Sequence, residues 1–96
     1  KIDLVKIDVE GFELQVLKGS DIILKQHKPV IFMEVDDILL RANNTSPAEL
    51  FSFLADQYGY SFTHARTGNE VKKSDVFTGC HMDIICNPGE KSETFL

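Results

Sequence analysis

The chain has 96 residues, 43% hydrophobic and 26% charged, which is the composition of one folded domain. Its net charge of −5 argues against a nucleic-acid partner, because phosphate binding relies on clustered Lys and Arg. The sequence contains no apolar stretch as long as a membrane span, no recognisable signal peptide and too few cysteines for a disulfide framework, so we expect a cytoplasmic protein.

The first predicted element is a strand. Residues 2–9 are apolar on both faces, which is typical of a strand covered on both sides in a parallel sheet. A helix is predicted over residues 12–18, because Phe12 and Val16 lie one turn apart and Gly19 follows as a stop.

A second helix and a second strand follow. Ser20 and Asp21 are typical capping residues and predict a short helix that runs to about residue 27. Residues 30–35 form another apolar run, which predicts a second buried strand that again ends in acid. Residues 38–45 are interpreted as a loop with room for one helical turn.

The clearest helix signal lies in the middle of the chain. Ser46 as N-cap, Pro47 at the first helical position and Glu49 as the closing member of a capping box predict its start. Gly59 predicts its end. Its apolar face comprises Leu50, Phe53, Leu54 and Tyr58.

Two strands complete the order of elements. Residues 60–65 alternate in polarity, and residues 81–86 form a last apolar run. The predicted order is therefore β-α-β-α-β-β, that of an α/β protein. The first two connections are crossovers, so we expect parallel neighbours there, whereas the last two strands should form an antiparallel pair.

Carboxylates collect where the two predicted buried strands end. Asp8 and Glu10 lie two residues apart, so their side chains would share one face of an extended chain. Glu13 falls in the first helical turn, where the helix dipole favours a carboxylate. Glu34 ends the second strand. Because the carboxyl ends of parallel strands meet at one edge of a sheet, we expect these acids to converge there in a ligand site.

Two blocks of the sequence resemble a known enzyme family. Residues 4–19 (LVKIDVEGFELQVLKG) and residues 29–35 (PVIFMEV) are similar to the FkbM-type S-adenosylmethionine-dependent methyltransferases. Glu34 stands where that family has a carboxylate at the end of the next strand. The resemblance implies a partial Rossmann-like class I methyltransferase sheet, with parallel strands followed by an antiparallel terminal hairpin.

The resemblance also implies an activity, methyl transfer from S-adenosylmethionine to a hydroxyl of a sugar or small metabolite. The protein must orient the acceptor and remove the hydroxyl proton. We assign Asp8 to the cofactor side of the reaction and Glu10 to acceptor binding or to the base. Glu34 would support Glu10 in catalysis, and Glu13 is a further candidate for substrate binding.

The first residues of the sequence indicate how much of a methyltransferase domain the chain contains. The sequence has no initiator Met and enters a strand almost at once, so we interpret residues 1–96 as the carboxyl-terminal portion of a methyltransferase domain. The family's glycine-rich loop and its ribose-binding acid have no counterpart here. We therefore expect the isolated segment to be inactive.

Two alternatives stay open. Asp8, Glu34 and Asp36 could bind Mg²⁺ together with water molecules. A non-enzymatic module could instead self-associate through the unpaired edge of its first strand or through an uncovered apolar face. His64 and His81 could approach each other across the terminal hairpin, but no Cys or His lies at zinc-ligand spacing, so we expect no zinc site.

Overall fold

A computed structural model describes residues 2–72 and 75–89 of the chain. Within these ranges the secondary structure alternates as an α/β protein should. In chain order the elements are β1 (Leu4–Ile7), α1 (Glu13–Lys18), α2 (Asp21–Gln26), β2 (Val30–Asp36), α3 (Asp37–Ala42), α4 (Pro47–Tyr58), β3 (Ser61–His64) and β4 (His81–Asn87). None of the helices in the described ranges has the length and apolar character needed to cross a membrane.

The strands form one mixed sheet in the order β1-β2-β4-β3. The parallel pairing of β1 with β2 confirms the first predicted crossover, and the antiparallel pairing of β3 with β4 confirms the terminal hairpin. The expectation that β2 and β3 would be neighbours is wrong, because β4 lies between them and is antiparallel to both.

Burial explains why the last strand occupies an inner position. Ile84 and Cys86 of β4 are fully buried, and β4 is long enough to pair with β2 over six residues. β3 has four residues and pairs with β4 alone among the named strands, which suits the edge of the sheet. β4, the more buried of the last two strands, therefore lies at the inner position, where it has a neighbouring strand on each side.

The two faces of the sheet differ in burial. One face is formed by apolar side chains that are buried, among them Ile7, Met33 and Ile84. Helix α4 packs on this face, where the rings of Phe51 and Phe62 lie 4.7 Å apart between their centroids. The opposite face, which we call the open face, carries exposed or half-exposed side chains. They are Leu4, Lys6, Val30, Phe32, Glu34, Asp36, His81, Asp83 and Ile85.

The open face corrects one prediction about β1. The strand covers residues 4–7, and it was predicted to be buried on both sides. Instead Leu4 is 64% exposed and Lys6 is exposed, while Ile7 is buried. Only one face of β1 is covered in the described part of the chain.

Helices α1 and α2 lie where they were predicted, but two details differ. Leu14 and Leu17 form the buried side of α1, whereas Phe12 and Val16 are exposed. Ser20 is the N-cap residue of α2, as predicted, but its hydroxyl makes no capping hydrogen bond and donates to the Val16 carbonyl at 2.8 Å instead. The hydroxyl therefore contributes to the end of α1 and not to the start of α2.

Residues 38–45 were interpreted as a loop, and this is the largest local error. The structure has a six-residue helix, α3, whose N-cap is Asp36. One oxygen of Asp36 accepts hydrogen bonds from the backbone N–H groups of Ile38 at 2.9 Å and Leu39 at 3.1 Å. Both residues are exposed, so the apolar periodicity that normally reveals a helix is weak here.

Helix α4 begins and ends as predicted. The Ser46 hydroxyl accepts a hydrogen bond from the Glu49 N–H at 3.1 Å, and Pro47 occupies the first turn. Gly59 ends the helix in the left-handed conformation, at φ +75°. Capping chemistry alone was enough to locate this helix.

Candidate active site at the carboxyl edge of the sheet

The site lies at what we call the carboxyl edge, where β1, β2 and β3 end and β4 begins. Asp8 directly follows Ile7, the last residue of β1, and Ile7 is in register with Met33. Glu34 follows Met33 in β2. Asp8, just after β1, and Glu34, within β2, therefore each follow a member of the same register pair of two adjacent parallel strands.

The chain leaves the strand conformation before Glu10. β1 ends at Ile7, Glu10 adopts a left-handed conformation at φ +48°, and Gly11 follows at φ +102°. The extended geometry from which we inferred a shared face for Asp8 and Glu10 is therefore wrong. Both acids lie on a tight loop, and both are exposed.

Glu13 holds this loop together from inside. Its side chain is 2% exposed, and its carboxylate accepts hydrogen bonds from the N–H of Gly11 at 3.0 Å and of Val9 at 3.4 Å. These two donors flank Glu10 in the sequence, so the carboxylate favours the left-handed turn at Glu10. A buried carboxylate that receives two backbone donors stabilises one loop conformation.

Gly11 lies against α3. A Cβ atom added there would lie 2.5 Å from the Leu39 carbonyl oxygen and 2.6 Å from Nδ2 of Asn43. The space beside this glycine is therefore filled by the protein itself. Loop 8–12 is fixed between the buried carboxylate of Glu13 and the backbone of α3.

His81, the first residue of β4, lies between two carboxylates of the neighbouring strand. Its Nε2 is 2.5 Å from Oε2 of Glu34, and its Nδ1 is 3.6 Å from Oδ2 of Asp36. The hydrogen bond to Glu34, and then the charge of Glu34, raise the pKa of His81 above its ordinary value of 6.5, and Asp36 and Asp83 add to this effect. The imidazole side chain is still 60% exposed.

A polar cavity of about 550 Å³ opens beside this histidine. Charged groups of both signs line it, since it contains carboxylates, two imidazoles and a guanidinium. The lining residues are Glu34, His64, Arg66, Thr67, His81, Met82 and Asp83. Such a volume and lining suit a small polar molecule.

The magnesium alternative gains no support from the side chains. In the described part of the chain, no group of three or more His, Cys, Asp and Glu residues is arranged to hold a metal ion. Asp36 serves as the N-cap of α3, and Glu34 binds His81. The next acid, Asp37, is buried and accepts the Gly79 N–H at 2.7 Å, so it connects α3 to the segment before β4.

Sequence reasoning missed the pairing of His81 with Glu34. The two residues lie 47 positions apart, and their contact depends on β4 lying next to β2. The signal for that insertion is the pair of buried apolar residues, Ile84 and Cys86, in the last strand. They indicate an inner strand, and an inner β4 brings its first residue against the end of β2.

Comparison with known proteins identifies the family of the chain. Residues 1–62 match the model of the methyltransferase FkbM domain. Searches of curated proteins and of solved structures gave no match. The match includes β1, β2 and the loop between Asp8 and Glu13, and it covers more than half of the 96 residues. The chain therefore belongs to the FkbM methyltransferase family.

Proposed function

We propose that this domain takes part in methyl transfer from S-adenosylmethionine to a hydroxyl group of a sugar or small metabolite. The observation that supports the proposal best is the placement of Asp8 and Glu34 directly after one register pair of two parallel strands, within a chain of the FkbM family. Ligands of open α/β sheets bind at this edge.

The charge of the residues at the carboxyl edge suits a cationic cofactor, but the space beside Gly11 does not. Asp8 is an exposed carboxylate at the end of β1, which suits a positively charged group nearby. Gly11, by contrast, is covered by α3 and leaves no room for a ligand against its backbone. When bound, S-adenosylmethionine supplies a methyl group attached to a positively charged sulfur. Asp8 is the residue of this chain that would lie beside it.

The remaining acids act on the acceptor. Glu10 is exposed on the loop and binds the acceptor hydroxyl or receives its proton, as the sequence predicts. Glu34 supports it from the adjacent strand. Glu13 contributes to acceptor binding through the loop, because its buried carboxylate fixes the backbone on both sides of Glu10. Holding a loop in one conformation lowers the entropy lost when an acceptor binds.

Isothermal titration with S-adenosylmethionine and transfer of a radiolabelled methyl group, both measured on an intact parent enzyme that contains this segment, test the proposal. Asp8→Asn should weaken binding by at least about tenfold, which corresponds to about 1.4 kcal/mol, with little change in the unfolding midpoint. Glu10→Gln should lower turnover with little change in stability. Asp56→Asn is the matched control, because Asp56 is exposed on α4. Equal losses of stability and function in the Asp8 and Glu10 variants would contradict the assignment.

The uncovered strand supports a second candidate function, self-association. β1 is an edge strand, and Leu4 exposes 64% of its surface on the open face. Sedimentation velocity should show concentration-dependent association that Leu4→Lys weakens. Ile22→Lys is the control, since Ile22 is similarly exposed, at 68%, on α2. A monodisperse monomer at all concentrations would exclude this candidate.

A further inference from the structure

We propose that His81 is a general base of this site, oriented by Glu34 and assisted by Asp36. The inference rests on the methyl transfer proposed above and adds a catalytic group that the sequence did not indicate. It starts from one observation, an exposed imidazole at the carboxyl edge with a carboxylate facing each of its ring nitrogens.

The two carboxylates have different tasks because they are held differently. Oε2 of Glu34 lies 2.5 Å from Nε2 of His81. Because a carboxylate accepts hydrogen bonds, the neutral ring would carry its proton on Nε2 and its lone pair on Nδ1. Asp36 lies 3.6 Å from Nδ1 and is held in place by the N–H groups that it caps. Its charge favours the proton that arrives at Nδ1.

The surroundings of the ring suit a base that works close to neutral pH. The carboxylates of Glu34, Asp36 and Asp83 all favour the imidazolium form, and the His64 and Arg66 side chains line the same cavity. A base is most effective when its pKa lies near the working pH. Because the ring is 60% exposed, the proton that it receives can pass to solvent.

Geometry at the edge brings this base within reach of an acceptor. β4 lies next to β2, and β2 lies next to β1, so His81 is two strands away from the end of β1 at Asp8. Strands are spaced by roughly 4.8 Å, so the two positions are roughly 10 Å apart along the sheet. The cavity is lined by residues of β2, of β4 and of the end of β3 and the segment after it, so a small polar acceptor bound there would lie beside His81 and Glu34.

The proposed step balances as a displacement at carbon. S-adenosylmethionine, when bound, would supply the methyl group: the acceptor oxygen would bond to the methyl carbon, and the electron pair of the broken carbon–sulfur bond would stay on sulfur. The hydroxyl proton passes to Nδ1 of His81, which becomes an imidazolium between Glu34 and Asp36. Loss of that proton to water restores the neutral ring.

The first experiment follows the ring nitrogens of His81 by NMR across a pH titration of the full chain, and it requires no acceptor. The wild type should titrate above 6.5 and keep the proton on Nε2 when neutral. Glu34→Gln should lower this pKa toward 6.5. His27, whose Nδ1 accepts the Ile2 N–H at 3.1 Å at the opposite edge, is the internal control and should not respond. A neutral ring protonated on Nδ1, or a pKa unaffected by Glu34→Gln, would overturn the proposal.

The second experiment uses an intact parent enzyme that contains this segment and measures methyl transfer from radiolabelled S-adenosylmethionine to a panel of free monosaccharides. His81→Asn should lower kcat/KM by about 10²-fold or more while cofactor binding by calorimetry is retained. In the wild type kcat/KM should rise with pH as His81 loses its proton, and Glu34→Gln should move that rise to lower pH. His27→Asn should change neither kcat/KM nor its pH dependence.

The outcomes separate this proposal from the function on which it rests. Cofactor binding and transfer with an unchanged pH profile in His81→Asn would overturn the role of His81 alone. An intact parent enzyme that contains this segment but neither binds the cofactor nor transfers methyl groups would overturn the proposed function and the base together, whatever the NMR titration shows.

Discussion

Gly11→Ala tests how tightly the loop of the candidate site is held. Gly11 has φ +102°, where a residue with a Cβ atom is strained by roughly 1–2 kcal/mol. The new Cβ would also lie 2.5 Å from the Leu39 carbonyl oxygen, which belongs to the backbone of α3 and cannot rotate away. Overpacking of this kind costs typically about 1–3 kcal/mol. The two effects together predict a loss of roughly 2–5 kcal/mol in the free energy of unfolding.

A second glycine separates backbone strain from steric overlap. Gly68 also has a positive φ, +77°, but a Cβ added there meets nothing within 4 Å. Gly68→Ala should therefore cost only the strain, roughly 1–2 kcal/mol. Urea unfolding followed by circular dichroism measures both losses. If the Gly11 variant loses less than about 0.5 kcal/mol more than the Gly68 variant, the close packing of loop 8–12 on α3 is refuted.

Three further predictions concern hydrogen bonds of buried or capping side chains. Glu13→Gln places an amide N–H against backbone donors such as that of Gly11 and should cost about 1–3 kcal/mol in urea unfolding; no loss would contradict the role of the carboxylate. Ser46→Ala removes the N-cap of α4 and should cost about 1 kcal/mol, or about 4–8 °C in Tm by calorimetry. The hydrogen bond from Gly79 lowers the pKa of Asp37 below 3.8, so its stabilisation is present above that pH and is lost as the pH falls through the lowered value. Asp37→Asn should therefore remove part of the acid-induced loss of stability. A variant whose Tm falls with decreasing pH as steeply as that of the wild type would contradict this.

The elements that sequence reasoning located correctly are those whose signals are local. The apolar runs of β1 and β2 indicated two adjacent parallel strands, and Ser46 with Gly59 indicated both ends of α4. In each case the residues that decide the structure lie within one element or at its ends. Burial and capping act over a few residues, so they can be recognised without knowledge of the fold.

The features that escaped prediction depend on contacts between distant parts of the chain. Helix α3 has exposed apolar residues at Ile38 and Leu39, so its periodicity does not distinguish it from a loop. The apolar residues Ile84 and Cys86 indicate that β4 is an inner strand, but which strands lie on either side of it is decided by contacts between distant parts of the chain. The contact of His81 with Glu34 follows from the position of β4 next to β2, so it was missed for the same reason.

The inner position of β4 has a consequence for synthesis of the protein. β4 joins β2 to β3, and β3 has no other strand partner among the named elements. On the ribosome, β1 and β2 can pair as soon as both have emerged, but β3 must wait until residue 87 is available. Until then the sheet lacks its inner strand, and Ile31, Met33 and Phe62 lack their neighbours Cys86 and Ile84. Chaperones that recognise exposed apolar strands would find their target in that interval.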